Sequence, residues 1–338
     1  MNRTLFAYYQ FKAFCTVLTC SRLINSIKLV TSYVLSRVIR KPVVFAQPLA
    51  LSVEPAGFCN LHCPECPTGA AVLTRAGGMM SYKLFTNAMD ELSLHLMHIN
   101  LFFQGEPTLN PSLGAMISYV SAKNIYTLVS TNGQRFSNKD AEEMVSGGLK
   151  EIIFSVDGLT QETYEIYRVG GRLDRLIDSV GLLVDEKKRQ KSVYPLITLQ
   201  FIVFAHNQHE VVRLKSFSPR LRADRYVVKT AQFNEFGDGS VAPPTEQRWQ
   251  RYKDGKKFRR TIYQHCWRQW SSCVLGWDGN IVPCCYDKNS DYTFGNLTRQ
   301  PLATIWKNEM AIDFRHKVLN DKYSLPICKN CPEGRGCL

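Results

Sequence analysis

Three cysteines close together in the chain have the types and spacing for metal chemistry. Cys59, Cys63 and Cys66 form a C-x3-C-x2-C group, and the next cysteine after them is Cys266. A cubane iron-sulfur cluster usually takes four thiolates. Three thiolates would leave one iron open for a ligand that is not protein, as a reactive metal site requires. The spacing therefore predicts an iron-sulfur site with these three cysteines as catalytic metal ligands.

Two other interpretations of the same cysteines are open on spacing alone. A zinc site would need a fourth ligand, and His62 is the nearest donor. Because His62 lies inside the C-x3-C loop, it would bind awkwardly together with both flanking cysteines. Alternatively, the three cysteines pack as small buried hydrophobic residues. Polar residues further along the chain favour the iron-sulfur interpretation.

Polar residues cluster at the predicted ends of three further strands. The three groups have the sequences Gln104-Gly105-Glu106-Pro107, Ser130-Thr131-Asn132-Gly133 and Ser155-Val156-Asp157-Gly158. Each group alone is ordinary, because Asn-Gly and Asp-Gly are common turn dipeptides and a loop glutamate is often solvated. In parallel βα architectures, however, functional groups gather at the C-terminal ends of the strands. Since the cysteine loop follows the first strand, these strand ends together predict one site.

The elements that must position these groups alternate between strand and helix. Short β-rich runs and helical stretches alternate from about residue 48 onward, which is typical of an α/β fold with a parallel sheet. Six strands are predicted, at residues 49–53, 98–104, 126–130, 151–156, 197–204 and 226–231. Helices are predicted between them, at residues 81–93, 112–122, 137–145, 172–188 and 209–217. Six βα units are fewer than the eight of a closed TIM barrel.

The chain resembles the radical S-adenosylmethionine (SAM) superfamily in its C-x3-C-x2-C group and in Gly105-Glu106. The resemblance implies a partial, open (β/α)6 TIM-like barrel whose gap admits a substrate. It also implies that Cys59, Cys63 and Cys66 hold a 4Fe-4S cluster, whose open iron is chelated by the amino and carboxylate groups of SAM. Such enzymes cleave SAM reductively to a 5'-deoxyadenosyl radical that abstracts hydrogen from a substrate.

The resemblance further implies roles in SAM binding. Gly105 and Glu106 match the second half of a Gly-Gly-Glu motif that binds the SAM amino group, and Gln104 replaces its first glycine. The residues expected near the methionine carboxylate and the ribose hydroxyls are Ser130, Asn132, Ser155 and Asp157. Arg168 is a candidate for the carboxylate, which a guanidinium binds through two hydrogen bonds, or else a solvent-facing helical arginine. Gln200, in the fifth strand, is expected near the adenosine.

A second group of cysteines lies near the C-terminus, where seven cysteines occur from residue 266 onward. This region resembles the SPASM or twitch extension of many radical SAM enzymes, including an Asp278-Gly279 turn before Pro283. Seven cysteines cannot fill two clusters of four thiolates. One auxiliary 4Fe-4S cluster is therefore expected, with the ligands Cys266, Cys284, Cys328 and Cys331. The cysteines left over are Cys273, Cys285 and Cys337. A zinc ribbon of four cysteines also fits this spacing.

The two cysteine groups together favour an oxidation. A complete set of four thiolates leaves no open iron for substrate, so the auxiliary cluster is expected to transfer electrons. A substrate radical beside it could give up an electron there, as in sugar or alcohol dehydrogenation or in peptide modification. The electron for SAM cleavage would come from an external donor such as flavodoxin or ferredoxin. The alternative is a non-catalytic iron-sulfur or zinc-binding scaffold or electron carrier.

The first 53 residues contain seven basic residues and no acidic one. The apolar residues that recur there at helical spacing, and predict a basic amphipathic helix, are Leu23, Ile27, Val30, Val34 and Val38. Such a segment either contacts an anionic membrane surface through residues 1–41, or packs its apolar stripe on the enzyme or on a partner. No uncharged stretch here approaches the ~20 apolar residues of a spanning helix, so no transmembrane helix is predicted.

Length and composition fit one large domain with a smaller appendage. The chain has 338 residues, of which 45% are hydrophobic, and a net charge of +13. The predicted divisions are a basic segment at 1–47, a barrel at 48–236, a linker at 237–260 and a cysteine-rich domain at 261–338. Clustered cysteines without a secretory leader indicate the cytoplasm, with the inner face of the membrane as an option. No nucleic-acid partner is expected, because the basic charge is concentrated before the barrel.

Overall fold

Six parallel strands form the inner layer of the fold. In a computed structural model, which describes residues 3–253, 257–259, 264–329 and 331, they occupy the places that the sequence predicts. They are β1 Ala50–Val53, β2 His98–Asn100, β3 Tyr126–Thr131, β4 Glu151–Ser155, β5 Leu196–Val203 and β6 Arg225–Thr230. Each strand pairs in parallel with the next in chain order, and β6 forms one edge of the sheet. The predicted partial, open α/β barrel is confirmed.

Helices connect these strands on the outer face of the sheet. They are α3 Tyr82–Leu92, α4 Leu113–Ala122, α5 Asn138–Ser146, α6 Gln161–Tyr167, α7 Leu173–Arg189 and α8 Leu214–Arg220. The helix α5 begins at a capping box that Ser137 forms with Asp140. Alternate strand residues such as Ile152 and Phe154 pack with the helices in one apolar core. Because side chains alternate along a strand, the residues between them face the barrel interior.

Three elements differ from the sequence-based prediction. The second strand ends at Asn100 rather than at residue 104, because the chain leaves the sheet there to form the loop that ends in Gly105. The helix predicted at 209–217 is a 3-10 helix, Gln208–Arg213, followed by α8. The short helix α6 was not predicted, although Thr160 caps it.

The C-terminal region continues the barrel sheet, which the sequence did not predict. Part of the predicted linker forms two short antiparallel strands, β7 Tyr252–Lys253 and β8 Lys257–Phe258. Beyond it, β9 Ser272–Leu275 pairs in parallel with β1, and β10 Asn280–Val282 and β11 Gly295–Asn296 follow in antiparallel order. The helices of this region are α9 Arg268–Ser271, α10 Leu302–Ile305 and α11 Glu309–Asn320. The cysteine-rich region is therefore joined to the barrel through one sheet.

Two helices precede the barrel, α1 Arg3–Cys15 and α2 Cys20–Ile39. The face of α2 that packs on the body is largely polar, and its buried residues are Arg22, Asn25, Leu29, Ser32, Tyr33 and Ser36. The apolar stripe predicted for this segment is exposed instead. The alternative in which this stripe packs on the enzyme is therefore wrong.

No single helix among the described residues has both the length and the apolar character to cross a bilayer. The helices α1 and α2 would pass such a test only as a pair, and they are bent by 101° to each other.

Candidate functional site

The cysteine loop lies between β1 and α3, at the C-terminal end of the first strand. Its three thiols are close enough to interact electrostatically, since Cys59 and Cys66 both act on the pKa of Cys63. The amide N–H of Leu61 donates to Cys59 Sγ at 3.4 Å, and Cys63 is buried. The structure thus brings together the three cysteines that the sequence predicts as ligands.

The surroundings of these thiols disfavour the thiolate form unless a cation is bound. Burial raises the pKa of the Cys63 thiol to about 12, and the guanidinium of Arg168 opposes this shift. Burial also raises the pKa of Cys59. Metal binding must therefore release protons from this site. A set of three thiols fits a cubane cluster and leaves one of its corners for a further ligand.

The loop after β2 fixes the next predicted pair, Gly105 and Glu106. Gly105 has φ +72°, and a Cβ there would lie 2.6 Å from the carbonyl oxygen of Phe58. The amide N–H of Glu106 donates to that same carbonyl at 2.9 Å. Only glycine allows the loop after β2 to approach the cysteine loop so closely.

The carboxylate of Glu106 is buried and links two strand ends. Its Oε1 accepts hydrogen bonds from the hydroxyls of Thr108 and Thr131, both at 2.7 Å, and from the amide N–H of Thr108. Its Oε2 accepts from the amide N–H of Asn132 at 2.8 Å, which leaves an acceptor position on that oxygen. Glu106 therefore holds the loop after β2 against the end of β3. Its Oε2 can still accept a hydrogen bond from an amino group.

Asn132 connects the third strand end to the cysteine loop. Its Nδ2 donates to Asn60 Oδ1 at 2.9 Å and approaches Cys59 Sγ at 3.6 Å. Its Oδ1 accepts from the amide N–H of Gln134 at 2.9 Å. Asn60 and Gln134 could not be predicted as members of this network, because both lie in irregular loops.

Arg168 and Asp157 form a buried ion pair beside the cysteines. Nε of Arg168 donates to Asp157 Oδ2 at 2.7 Å, and Nη2 lies 2.5 Å from the same oxygen. Nη1 of Arg168 donates to Cys63 Sγ at 3.7 Å. The Asp157 side chain is 0% exposed and that of Arg168 is 13% exposed. The alternative of a solvent-facing arginine is therefore wrong. Arg168 instead connects Asp157, after the fourth strand, to Cys63 in the cysteine loop.

The remaining predicted residues lie on neighbouring strands. Ser155 and Gln200 are opposite each other on β4 and β5, and Ser130 on β3 is opposite Ile153. Within the described part of the chain, the hydroxyls of Ser130 and Ser155 and the side-chain amide of Gln200 make no hydrogen bond to another residue. They therefore have donors and acceptors to offer a ligand on the inner face of the sheet.

The sequence missed Asn207 and Glu65, which position the site. Asn207 is buried, and its Nδ2 donates to the carbonyl oxygens of Asp157 at 2.8 Å and Ile202 at 2.9 Å. Glu65 Oε2 accepts from the amide N–H of Asn234 at 2.8 Å, which ties the cysteine loop to the chain after β6. Neither residue belongs to a recognisable motif, so only their contacts identify them.

The C-terminal region contacts the cysteine loop directly. Nε of Arg75 donates to the carbonyl oxygen of Lys288 at 2.7 Å, while its guanidinium forms an ion pair with the buried Glu54. The indole N–H of Trp277 donates to the carbonyl oxygen of Ala76 at 3.2 Å. The loop that carries the first cysteine group is thus held against the region that carries the second.

Four C-terminal cysteines share one buried environment. The thiols of Cys266 and Cys328 act on the pKa of Cys284, and those of Cys266 and Cys331 act on the pKa of Cys328. All four are buried. The predicted auxiliary ligands are therefore neighbours in the structure.

The three leftover cysteines have different places. Cys273 lies on β9 opposite Leu51, and the guanidinium of Arg315 opposes the rise that burial causes in the pKa of its thiol. Cys285 is adjacent to Cys284 and interacts with it. Cys337 lies outside the described residues. The described environment of Cys273 is therefore that of a packing residue rather than a cluster ligand.

A single metal ion would need several ligand side chains that converge on one point. Within the described ranges, no three His, Cys, Asp or Glu side chains converge as a group that could hold one ion. A zinc ion needs its sulfur ligands at about 2.3 Å. A cubane places its irons at separate corners, so its thiolates do not converge on one point.

Substitution of one auxiliary cysteine is expected to remove half of the iron. If Cys284 is a ligand, Cys284→Ala should lower bound iron from about eight to about four atoms per chain, as for two 4Fe-4S clusters. The matched variant Cys273→Ala should keep its iron. Iron and acid-labile sulfide, measured after anaerobic reconstitution, check this. Equal iron in both variants, or zinc in place of iron, would contradict the assignment.

Two family models match separate regions of this chain. The Radical SAM superfamily model matches residues 53–208, and the SPASM model, described as an iron-sulfur cluster-binding domain, matches residues 266–332. The chain belongs to the radical SAM superfamily and carries a C-terminal SPASM domain. Its cofactors are a 4Fe-4S cluster, SAM and auxiliary iron-sulfur in the SPASM domain. The model that matches residues 266–332 describes an iron-sulfur site and not a zinc ribbon.

Particular relatives span most of the chain. A tungsten-containing aldehyde ferredoxin oxidoreductase cofactor-modifying protein of Pyrococcus furiosus is 24% identical, over 85% of this chain and 88% of its own length. A PqqA peptide cyclase of Rhizobium meliloti is 23% identical, over 84% and 79%. The solved structure of Streptococcus suis SuiB bound to the precursor peptide SuiA has a TM-score of 0.64 and 15% identity, and the match covers 88% of this chain and 72% of that one.

Proposed function

We propose that this enzyme oxidises a peptide substrate by radical SAM chemistry, with help from one auxiliary 4Fe-4S cluster. The observation that carries the proposal is the direct contact between the cysteine loop and the SPASM domain, through Arg75 and Trp277. Two redox sites held against each other suit a reaction in which one starts a radical process and the other accepts an electron. A peptide is favoured over a sugar because a peptide cyclase and a peptide-bound enzyme are among its relatives.

The cofactors supply reductive cleavage of SAM and a 5'-deoxyadenosyl radical that takes a hydrogen atom from the substrate. The chain's own residues bind and orient. Glu106 Oε2 would accept a hydrogen bond from the SAM amino group, and Arg168 would bind the SAM carboxylate. Ser130, Ser155 and Gln200 offer hydrogen bonds to the rest of the molecule from the inner face of the barrel. An external donor such as flavodoxin or ferredoxin would provide the electron in the cytoplasm.

The proposal is tested by product analysis under anaerobic conditions. The reconstituted full chain, with dithionite and SAM, is incubated with pools of candidate peptides and, separately, with pools of sugars and alcohols. We expect a peptide product lighter by two hydrogen atoms, formed together with 5'-deoxyadenosine. The matched pair Cys284→Ala and Cys273→Ala separates the role of the auxiliary site, because only the first should lose the oxidised product. An oxidised sugar with no change in any peptide would overturn the peptide proposal.

A further inference from the structure

The helix α2 presents a continuous apolar face to solvent. We define this apolar face as Leu23, Ile24, Ile27, Val30, Val34 and Val38, which are all exposed. At about 3.6 residues per turn they lie on one side of the helix. Ile27 and Val38 are 67% and 74% exposed. Contiguous apolar surface of this kind on a folded protein marks a place of interaction.

The opposite face of α2 is fixed to the body, so the helix cannot turn to bury its apolar residues. Arg22 is buried and donates to the carbonyl oxygens of Ser93, Lys123 and Asn124 at 2.6 to 2.9 Å. The Tyr33 hydroxyl is 2.8 Å from Nδ1 of His265. Burial of charged and polar groups with partners holds one orientation of the helix. The exposure of the apolar face is therefore a property of the fold.

Basic residues surround the apolar face. Lys28 and Arg37 flank it on either side at helical spacing, and both are exposed. Lys307 lines a shallow groove together with Ile27 and Lys28. Residues 1–53 contain no acidic side chain. Lysine and arginine beside an apolar helical face match the headgroups of anionic lipids, whose acyl boundary would take the apolar residues.

We propose that α2 docks the enzyme on an anionic lipid bilayer by this apolar face, with the barrel opening turned away from the membrane. The helix lies on the bilayer rather than across it, because α1 and α2 are bent by 101° and α1 is held to the barrel. The hydroxyl of Tyr194, for example, donates to the carbonyl oxygen of Tyr9 at 2.8 Å.

The orientation follows from what Arg22 binds. Ser93 precedes β2, and Lys123 and Asn124 precede β3, so the helix sits at the N-terminal ends of the strands. The cysteine loop and Asp157 follow the C-terminal ends. The docked enzyme therefore opens toward the aqueous phase, and its substrate is a water-soluble molecule. This part of the inference rests on the proposed function, whereas the lipid contact does not.

Sedimentation with vesicles tests the contact. The full chain is mixed with vesicles of phosphatidylglycerol and phosphatidylcholine, or of phosphatidylcholine alone. We expect binding to the anionic vesicles and little to the neutral ones. Ile27→Glu/Val38→Glu should lower the partition coefficient about a hundredfold, and Lys28→Gln/Arg37→Gln about tenfold. The matched control is Val212→Glu/Met310→Glu, which places the same charges at residues that are 73% and 53% exposed elsewhere, and it should bind as the unmodified chain does.

Equal binding of the apolar-face variant and the control would overturn the proposal, as would no binding of the unmodified chain. If the unmodified chain is a dimer that the apolar-face variant converts to monomer, and neither binds vesicles, the face is covered by a second copy and the lipid proposal fails. The SAM-cleavage rate should be unchanged on vesicles, because the opening faces water. Inhibition by vesicles that bind the chain would contradict the orientation alone, and loss of SAM cleavage without vesicles would concern only the proposed function.

Discussion

An Arg168→Ala variant is expected to be destabilised by about 3–5 kcal/mol, because it leaves Asp157 as an unpaired buried charge. The Asp157 side chain is 0% exposed and its Oδ1 also accepts the amide N–H of Ile202 at 2.6 Å. The carboxylate therefore cannot turn to water. If Arg168 binds the SAM carboxylate as proposed, the Michaelis constant for SAM should rise about tenfold to a hundredfold, because charged hydrogen bonds to that carboxylate are lost.

The destabilisation should depend on pH. Burial raises the pKa of Asp157, and the guanidinium of Arg168 opposes that shift. Without the guanidinium the folded state favours the protonated acid more strongly. A pKa raised in the folded state gives stability that is lost as pH rises. The difference in unfolding free energy between Arg168→Ala and the unmodified chain should therefore widen as pH rises. The widening should occur between the folded-state pKa of Asp157 in the unmodified chain and its higher pKa in the variant.

The measurement is denaturant unfolding at several pH values, together with SAM-dependent kinetics. Arg172→Ala is the matched control, because Arg172 pairs with Asp174 on the surface, where the side chains are 62% and 57% exposed. It should leave both stability and kinetics nearly unchanged. Arg168→Lys should rescue little, because one ammonium cannot contact Asp157 and Cys63 as the guanidinium does. Full activity of Arg168→Ala would show that Arg168 does not take part in SAM binding.

A Gly105→Ala variant is expected to lose the cluster of the cysteine loop. The positive φ costs about 1–2 kcal/mol for a residue with a Cβ. The new Cβ would also lie 2.6 Å from the carbonyl oxygen of Phe58, next to Cys59, so the loop must move. Displacement of a reactive group by about 1 Å can reduce the rate a hundredfold, and we expect at least that loss of 5'-deoxyadenosine formation.

Gly181→Ala is the control for this substitution. Gly181 lies inside α7, and a Cβ there would meet no atom within 4 Å. Alanine in a helix interior is favoured over glycine by about 1 kcal/mol, so this variant should be as stable as the unmodified chain or more so. Iron content and 5'-deoxyadenosine are measured for both variants. Normal values for Gly105→Ala would mean that the loop after β2 does not need glycine at this position.

The sequence predicts the local part of the site well. Cys59, Cys63 and Cys66 lie within eight residues of one another, so their spacing alone brings the thiols together. The six parallel strands have clear apolar runs, and polar residues at the C-terminal ends of such strands must meet at one edge. Asp157 and Glu106 lie there for that reason.

Long-range contacts could not be predicted in the same way. The orientation of Arg168 depends on where the short helix α6 ends and on burial by the cysteine loop. The strand β9 has four residues, and only its partner β1 shows that the SPASM domain extends the barrel sheet. The sequence left open which face of α2 packs on the body, because buried Asn25 and Arg22 donate to backbone carbonyls, which no hydrophobic pattern reveals.

We propose that Cys59, Cys63 and Cys66 hold the cluster whose open iron serves SAM cleavage. Anaerobic incubation of the reconstituted chain with dithionite and SAM, followed by quantification of 5'-deoxyadenosine, tests it most directly. Cys59→Ala should give no more than the background without enzyme. Cys20→Ala, which replaces an exposed cysteine outside both groups, should match the unmodified chain. Equal 5'-deoxyadenosine from Cys59→Ala and Cys20→Ala would contradict the claim.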